Sequence, residues 1–180
     1  MKGLFTTLTF LALISSSVFA QKNKKEEITG DYFQIKGSVY EIDMLNEDES
    51  KASNVQVIVY QEKEIYVAFF TDEKGIYNFY LPVGFTYEIW FGGSAFVNKK
   101  VEVQGAQIPK EKKPRTVPLD MGLFRPIEGF DFPVLNDPFV LMKYDNEADA
   151  VGPDMEYTEQ RSAELSKYFK KVEKEMKKKK

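Results

Sequence analysis

The 180-residue sequence predicts a mainly β protein: a seven-stranded antiparallel β-sandwich with a C-terminal extension that ends in an amphipathic helix. Three observations predict it. Between residues 32 and 124, apolar and polar residues alternate in short runs, the period of half-buried strands. Turn residues separate the runs, among them Asp72-Glu73-Lys74-Gly75, Pro82-Val83-Gly84 and Gly92-Gly93. No helical period interrupts them, which argues against a parallel βαβ sheet. The helical period first appears after about Asp154, where Leu165, Phe169, Val172 and Met176 form one stripe.

Residues 1–20 stand apart. Lys2 supplies a positive charge, Leu4 to Ile14 is mostly apolar, and Ser15-Ser16-Ser17 leads into Val18-Phe19-Ala20. That is the layout of a secretory signal peptide cut after Ala20. The apolar run is too short to cross the ~30 Å of membrane hydrocarbon. The mature chain is therefore expected in the periplasm or outside the cell, without a transmembrane span. Residues 21–31 are charged and without period, a flexible leader.

The sandwich is expected over residues 32–124. Phe33, Ile35, Gly37 and Val39 share one face of the first strand. The acidic stretch 41–53 reads as an exposed loop. Val55, Val57 and Val59 alternate in the second strand, and the third, Ile65 to Thr71, is apolar on both faces. Asp72 to Gly75 reads as a hairpin turn, with glycine where a positive φ costs least. Tyr77, Phe79 and Leu81 point inward from the fourth strand, and Tyr87, Ile89 and Phe91 from the fifth. A sixth runs from Val97 to Val103 past Lys99 and Lys100. A seventh carries Val117, Leu119, Met121 and Leu123, with Pro118 suiting an edge position. Residues 125–153 hold Phe130, Phe132, Leu135 and Phe139 among four prolines. They are too apolar for a linker and are expected to pack on the sandwich, adding a short strand near 139–144. Residues 154–180 form the lysine-rich helix, with Asp154 and Glu156 near its start.

These runs resemble the carboxypeptidase regulatory-like domains. Ile35 to Tyr40 (IKGSVY) is similar to that family's first strand and Asn54 to Val59 (NVQVIV) to its second. The stretch Thr71 to Gly84 (TDEKGIYNFYLPVG) resembles its most recognisable run, a Thr-Asp turn closed by glycine, an aromatic strand and a Pro-x-Gly turn. Ala95-Phe96 stands where Gly-Tyr is usual. The resemblance covers about residues 34–123 and implies a transthyretin-like (prealbumin-like) sandwich acting as an accessory, with no catalytic residues to carry over. The tail from Leu123 to Leu135 looks like the ending of small exported Bacteroidetes proteins.

Composition narrows the chemistry. The chain has no histidine and no cysteine, which leaves out Ser-His-Asp, Cys-His and His-bearing zinc sites, disulfides and a lipidated cysteine. No phosphate loop or dinucleotide fingerprint occurs. The chain is accordingly expected to be no enzyme and to need no cofactor or metal. Asp145 to Glu156 places acids at EF-hand-like positions, but Ala150 replaces the required glycine, so a solvated connector is the better reading. Without Lys2 the chain has 24 basic and 28 acidic residues, a net of −4 (24 − 28), which argues against general nucleic-acid binding.

Two surfaces remain as candidates. Tyr80 and Trp90 face outward on strands expected to be neighbours, with Tyr66 and Phe70 beside them. They form either a stacking platform for a glycan or peptide, or a face covered by the extension. Residues 167–180 hold eight lysines against Glu173 and Glu175, a net of +6 (8 − 2). There Lys170, Lys171, Lys174, Lys177 and Lys178 could meet an anionic envelope surface, or simply be solvated. The functional expectation is an exported cell-envelope module that binds or scaffolds a protein or glycan partner. The alternatives are a carbohydrate-binding module and a lysine-tail adaptor.

Overall fold

The computed structural model describes residues 31–43, 48–110 and 115–179. The signal-peptide reading of residues 1–20, most of the leader and Lys180 lie outside the described residues.

Among the described residues, eleven strands form two facing sheets. The smaller sheet is built around β1 (Tyr32–Asp43). One side of β1 carries β5 (Ile76–Pro82) and β2 (Asp48–Lys51), both antiparallel to it. The other carries β8 (Arg115–Pro118) and β9 (Met121–Leu123), both parallel to it. The larger sheet runs β11-β10-β7-β6-β3-β4. Its members are β3 (Gln56–Gln61), β4 (Glu64–Phe70), β6 (Thr86–Gly92), β7 (Lys99–Gln104), β10 (Val140–Asp145) and β11 (Ala150–Pro153). Within it β10 pairs parallel with β7, and the other pairs are antiparallel.

The sandwich expectation holds in outline, but seven antiparallel strands become eleven with mixed pairing. The acidic stretch 41–53 is partly paired, because β1 continues to Asp43 and β2 returns along it. The seventh strand divides at Leu119-Asp120, where Asp120 Oδ1 accepts from the Ser38 amide at 2.7 Å. Pro118 does lie on a strand paired only with β1. The extension supplies β10, close to the expected 139–144.

Asp72 to Gly75 is not a hairpin turn but a crossing from the larger sheet to the smaller one. Asp72 Oδ1 accepts from the amides of Lys74 (2.8 Å) and Ile76 (2.7 Å), and Thr71 Oγ1 accepts from Val55 N at 3.0 Å. Pro82-Val83-Gly84 takes the chain back, where the Tyr87 hydroxyl donates to Pro82 O at 2.8 Å. Strand β5 thus leaves one layer and faces it from the other. Tyr77 packs on Phe91 with ring centroids 5.3 Å apart, and Phe79 on Phe69 at 5.2 Å. The crowding of aromatics around these turns reflects contact between the two layers. Phe33, Ile35, Val57, Val59, Ile89, Val101, Val103 and Val117 are fully buried among them.

Helix α1 (Met155–Lys179) starts at Asp154, whose Oδ1 accepts from Tyr157 N at 3.2 Å. Its stripe is as expected: Leu165 and Val172 are buried, and Phe169 and Met176 half-buried. The stripe does not complete the sandwich core. Leu165 and Phe169 join Phe124, Phe132 and Leu135 in a second cluster, with Val97, Ile127 and Phe139 at its margin.

Candidate functional site

The three aromatics singled out from the sequence lie apart. Tyr80, on β5, belongs to the smaller sheet, and Trp90, on β6, to the larger, so their outward faces are on opposite sides of the molecule. The expectation of neighbouring strands fails because the chain changes sheets at residues 82–84. Tyr66 turns toward the rim of the interlayer, 45% exposed, with its ring 6.0 Å from that of buried Tyr87. A register irregularity between Val59 and Tyr60, which sets Tyr60 opposite Ile65, accounts for that turn.

The two outer faces differ in chemistry. Around Tyr80 the surface is polar. The Gln34 amide donates to Asn78 Oδ1 at 2.9 Å and to the Tyr80 hydroxyl at 3.2 Å, while Thr116 donates to Gln34 Oε1 at 2.9 Å. The face around Trp90 is apolar. Register places Ile58 between Trp90 and Ala68, Tyr60 between Glu88 and Ile65, and Gln56 beside Phe70. Ile65 is 61% exposed and Phe70 58%. Both lie on β4, which among the described residues pairs with β3 alone, one side of its backbone being open there. Tyr60 is the residue that sequence reasoning missed here; the Val57–Val59 alternation carried one position further puts Tyr60 out of phase with the core.

Trp90 itself is half-buried and well occupied. Its indole N–H donates to Glu88 Oε1 at 2.5 Å. The Lys100 ammonium stands 5.0 Å from its ring centroid, and Tyr60 packs on it at 5.7 Å. The extension borders it through Phe132 and Pro133 without reaching Ile65 or Phe70. Coverage of the aromatic face by the tail is therefore confined to one flank of Trp90, because the tail's aromatics pack mainly on α1.

A second feature lies on the inner face of this sheet, on the strand next to that of Trp90. Lys99 is in phase with Val101 and Val103 and points into the interlayer, 5% exposed. Its ammonium donates to Gly122 O on β9 at 2.5 Å and stands over the rings of Phe139 (4.8 Å) and Phe124 (5.5 Å). No carboxylate forms an ion pair with it among the described residues. Burial lowers its pKa to about 8. It lines a cavity of about 620 Å³ between the β9 side of the sandwich and α1. The walls are apolar, from Ile42, Met121, Ile127, Phe139, Leu165 and Phe169, while Asp120, Ser166, Lys170 and Glu173 supply polar groups. Lys99 was legible as a core-face position from its alternation with the two valines, a signal masked by its charge.

The five lysines of the helix end, Lys170, Lys171, Lys174, Lys177 and Lys178, are exposed. Lys177 pairs with Glu173 at 2.5 Å. Asp145 and Asp149, in the acidic stretch weighed as a calcium loop, serve the β10–β11 hairpin. The Asp145 carboxylate accepts from the amides of Glu147 and Ala148, and Asp149 pairs with Arg115 at 2.9 Å. No described helix is long and apolar enough to cross a membrane.

No protein-family model and no curated protein matches the chain. Several solved structures are similar at low identity. The minor pilin GBS52 of Streptococcus agalactiae matches at 13% identity and a TM-score of 0.39, over 58% of this chain and 50% of the pilin. A candidate carbohydrate-binding protein of Pseudomonas aeruginosa matches at 15% and 0.34, over 51% of this chain and 89% of its own. Catechol 1,2-dioxygenase from Acinetobacter matches at 10% and 0.39, over 60% of this chain and 57% of the enzyme. The expectation that the chain is no enzyme is corrected accordingly. An enzyme stands among the similar structures. Likeness at this level brings no activity to the chain.

Proposed function

We propose that the chain is an exported cell-envelope module that holds a partner protein along the open edge of its larger sheet. The observation that carries this reading is β4: an edge strand of seven residues whose outward side chains include exposed Ile65, Ala68 and Phe70. Natural sheets usually blunt such an edge with charge, proline or a bulge, because its free N–H and C=O groups invite another strand. Strand β4 has one such device, the register irregularity beside Tyr66, but its outward Ile65, Ala68 and Phe70 stay apolar and exposed. An extended segment of a partner would pair with the β4 backbone and lay its alternate side chains against Phe70 and Ile65.

A protein partner suits this face better than a glycan. Sugar stacking needs an open ring face, and Lys100 and Tyr60 both pack on the indole of Trp90. Tyr80, its intended companion, is on the other sheet. Export rests on the charged, apolar and small-residue order of residues 1–20. The carboxypeptidase regulatory-like reading is supported by the Thr71–Gly75 turn, whose Thr and Asp side chains both hold backbone amides.

Site-specific photocrosslinking in envelope extract tests the proposal. A photoreactive residue at position 70 should capture a discrete partner, and one at position 80, on the polar outer face, should not. Ile65→Lys with Phe70→Lys, both at exposed positions, should abolish capture by a reporter placed at position 68 while leaving the thermal midpoint within a few degrees. Equal labelling from positions 70 and 80 would overturn the reading.

A further inference from the structure

The cavity floored by Lys99 is not used by the partner-binding reading. We propose that it binds an anionic amphiphile, with the acidic head on the Lys99 ammonium and the apolar tail along the inner face of α1. Three observations converge. The cavity, about 620 Å³, is within the range of small-molecule sites, roughly 300–1,000 Å³. Its walls are apolar along their length, from Ile42 and Met121 on the sandwich to Leu165, Phe169 and Met176 on the helix. Its floor is a buried ammonium with three donors, of which the Gly122 carbonyl takes one.

A buried cation without a counter-ion is an expensive feature, and proteins ordinarily pair such a charge. The aromatic faces of Phe124 and Phe139 compensate it in part. An entering carboxylate or phosphate monoester would complete it through a charge-assisted hydrogen bond to this buried donor. A neutral amphiphile would gain only the contacts of its tail. A cationic head would be repelled by Lys99 at the buried end, although Asp120 and Glu173 also line the cavity. Asp120 also lines the cavity, but no ion pair joins it to Lys99 among the described residues; its Oδ1 accepts from the Ser38 amide.

The ligand class is tested by calorimetric titration of the mature chain at pH 7 with dodecanoate, dodecyl phosphate and dodecanol, each below micelle formation. One or both anions should bind with a stoichiometry of one and at least about tenfold more tightly than the alcohol, the scale of one charge-assisted hydrogen bond. The preferred anion then distinguishes a free carboxylate from a phosphate head. Lys99→Met keeps the volume and apolar contacts of the side chain, and should lower anion affinity to that of the alcohol while leaving the alcohol unchanged. Ser166→Trp places bulk at the cavity wall from an exposed helix position and should weaken all three. Anion and alcohol binding with equal affinity, no binding of any of them, or anion binding unaltered in Lys99→Met would each overturn the proposal.

Discussion

Lys99 makes a prediction independent of any ligand. Its pKa falls to about 8 in the fold, against about 10.4 in an unfolded chain. Between those values the unfolded chain binds more protons than the native one, so stability rises with pH. Below pH 8 both states are protonated and the cost of burying the charge is fully present. From pH 8 to pH 9.5 the protein should gain on the order of 1–2 kcal/mol, measured by urea unfolding. Asp120, Lys170 and Glu173 face the same cavity. Tyr77 and Tyr87, whose hydroxyls burial pushes upward, oppose the trend only above about pH 10, where unfolded tyrosine ionises. Lys99→Met should be more stable than the parent at pH 7 and should lose the rise. A flat profile in the parent would show that Lys99 is hydrated in solution. Gly75 offers a second test at this scale. Its φ is +73°, and an added Cβ would stand 2.7 Å from both the Val39 and Ala52 carbonyl oxygens. Gly75→Ala should therefore cost about 1–3 kcal/mol from backbone strain, with the crowding added to it. A loss under half of that would mean the crossing at residues 72–75 can shift.

Among the elements, α1 and the segment before it form a unit of their own. Leu165 is buried against Phe124, Phe132 and Leu135, in a cluster separate from the interlayer core. Leu165→Ala should destabilise by about 2 kcal/mol, the low end for a buried leucine, because a surface cluster can collapse around the loss. The loss should also be local. Amide exchange should speed up in α1 and around residues 124–139, while β3 and β6 keep their protection. Uniform acceleration would instead mean that helix and sandwich unfold as one. This division also explains what could be read in advance. The stripe Leu165–Phe169–Val172–Met176 and the alternation of Val57, Val59, Tyr87 and Ile89 are local signals, and they located the helix and most strands. Pairing is not local: β1 meets β8 and β9 some eighty residues later, and nothing in the Val117–Leu123 run distinguishes parallel from antiparallel. For the same reason the outward phases of Tyr80 and Trp90 were legible, but not their separation onto two sheets. Lys99 was obscured in another way, since a charge beside Lys100 reads as solvent-facing unless the phase of Val101 and Val103 outweighs it.

Across the whole molecule, charge is segregated: residues 167–180 carry +6, and the rest of the mature chain −10 (−4 − 6). The exposed lysines of the helix end are thus opposed by an acidic body, and an anionic surface would orient the protein with that end inward. Such attraction is long-ranged only at low ionic strength, since the screening length is about 10 Å at 0.1 M salt. Flotation with vesicles containing an anionic lipid should recover the chain at low salt and progressively less as salt approaches 0.3 M, with none on neutral vesicles. Replacing Lys170, Lys171, Lys174, Lys177 and Lys178 by glutamine should abolish recovery. Lys177 should contribute least, because Glu173 already pairs with it. Lys99→Met should leave recovery intact, because a buried ammonium adds little field outside the fold. That contrast separates a surface contact from amphiphile binding in the cavity. Salt-insensitive recovery, or recovery retained by the glutamine variant, would mean that apolar residues such as Ile65 and Phe70 hold the protein on the bilayer and that its charge asymmetry does not.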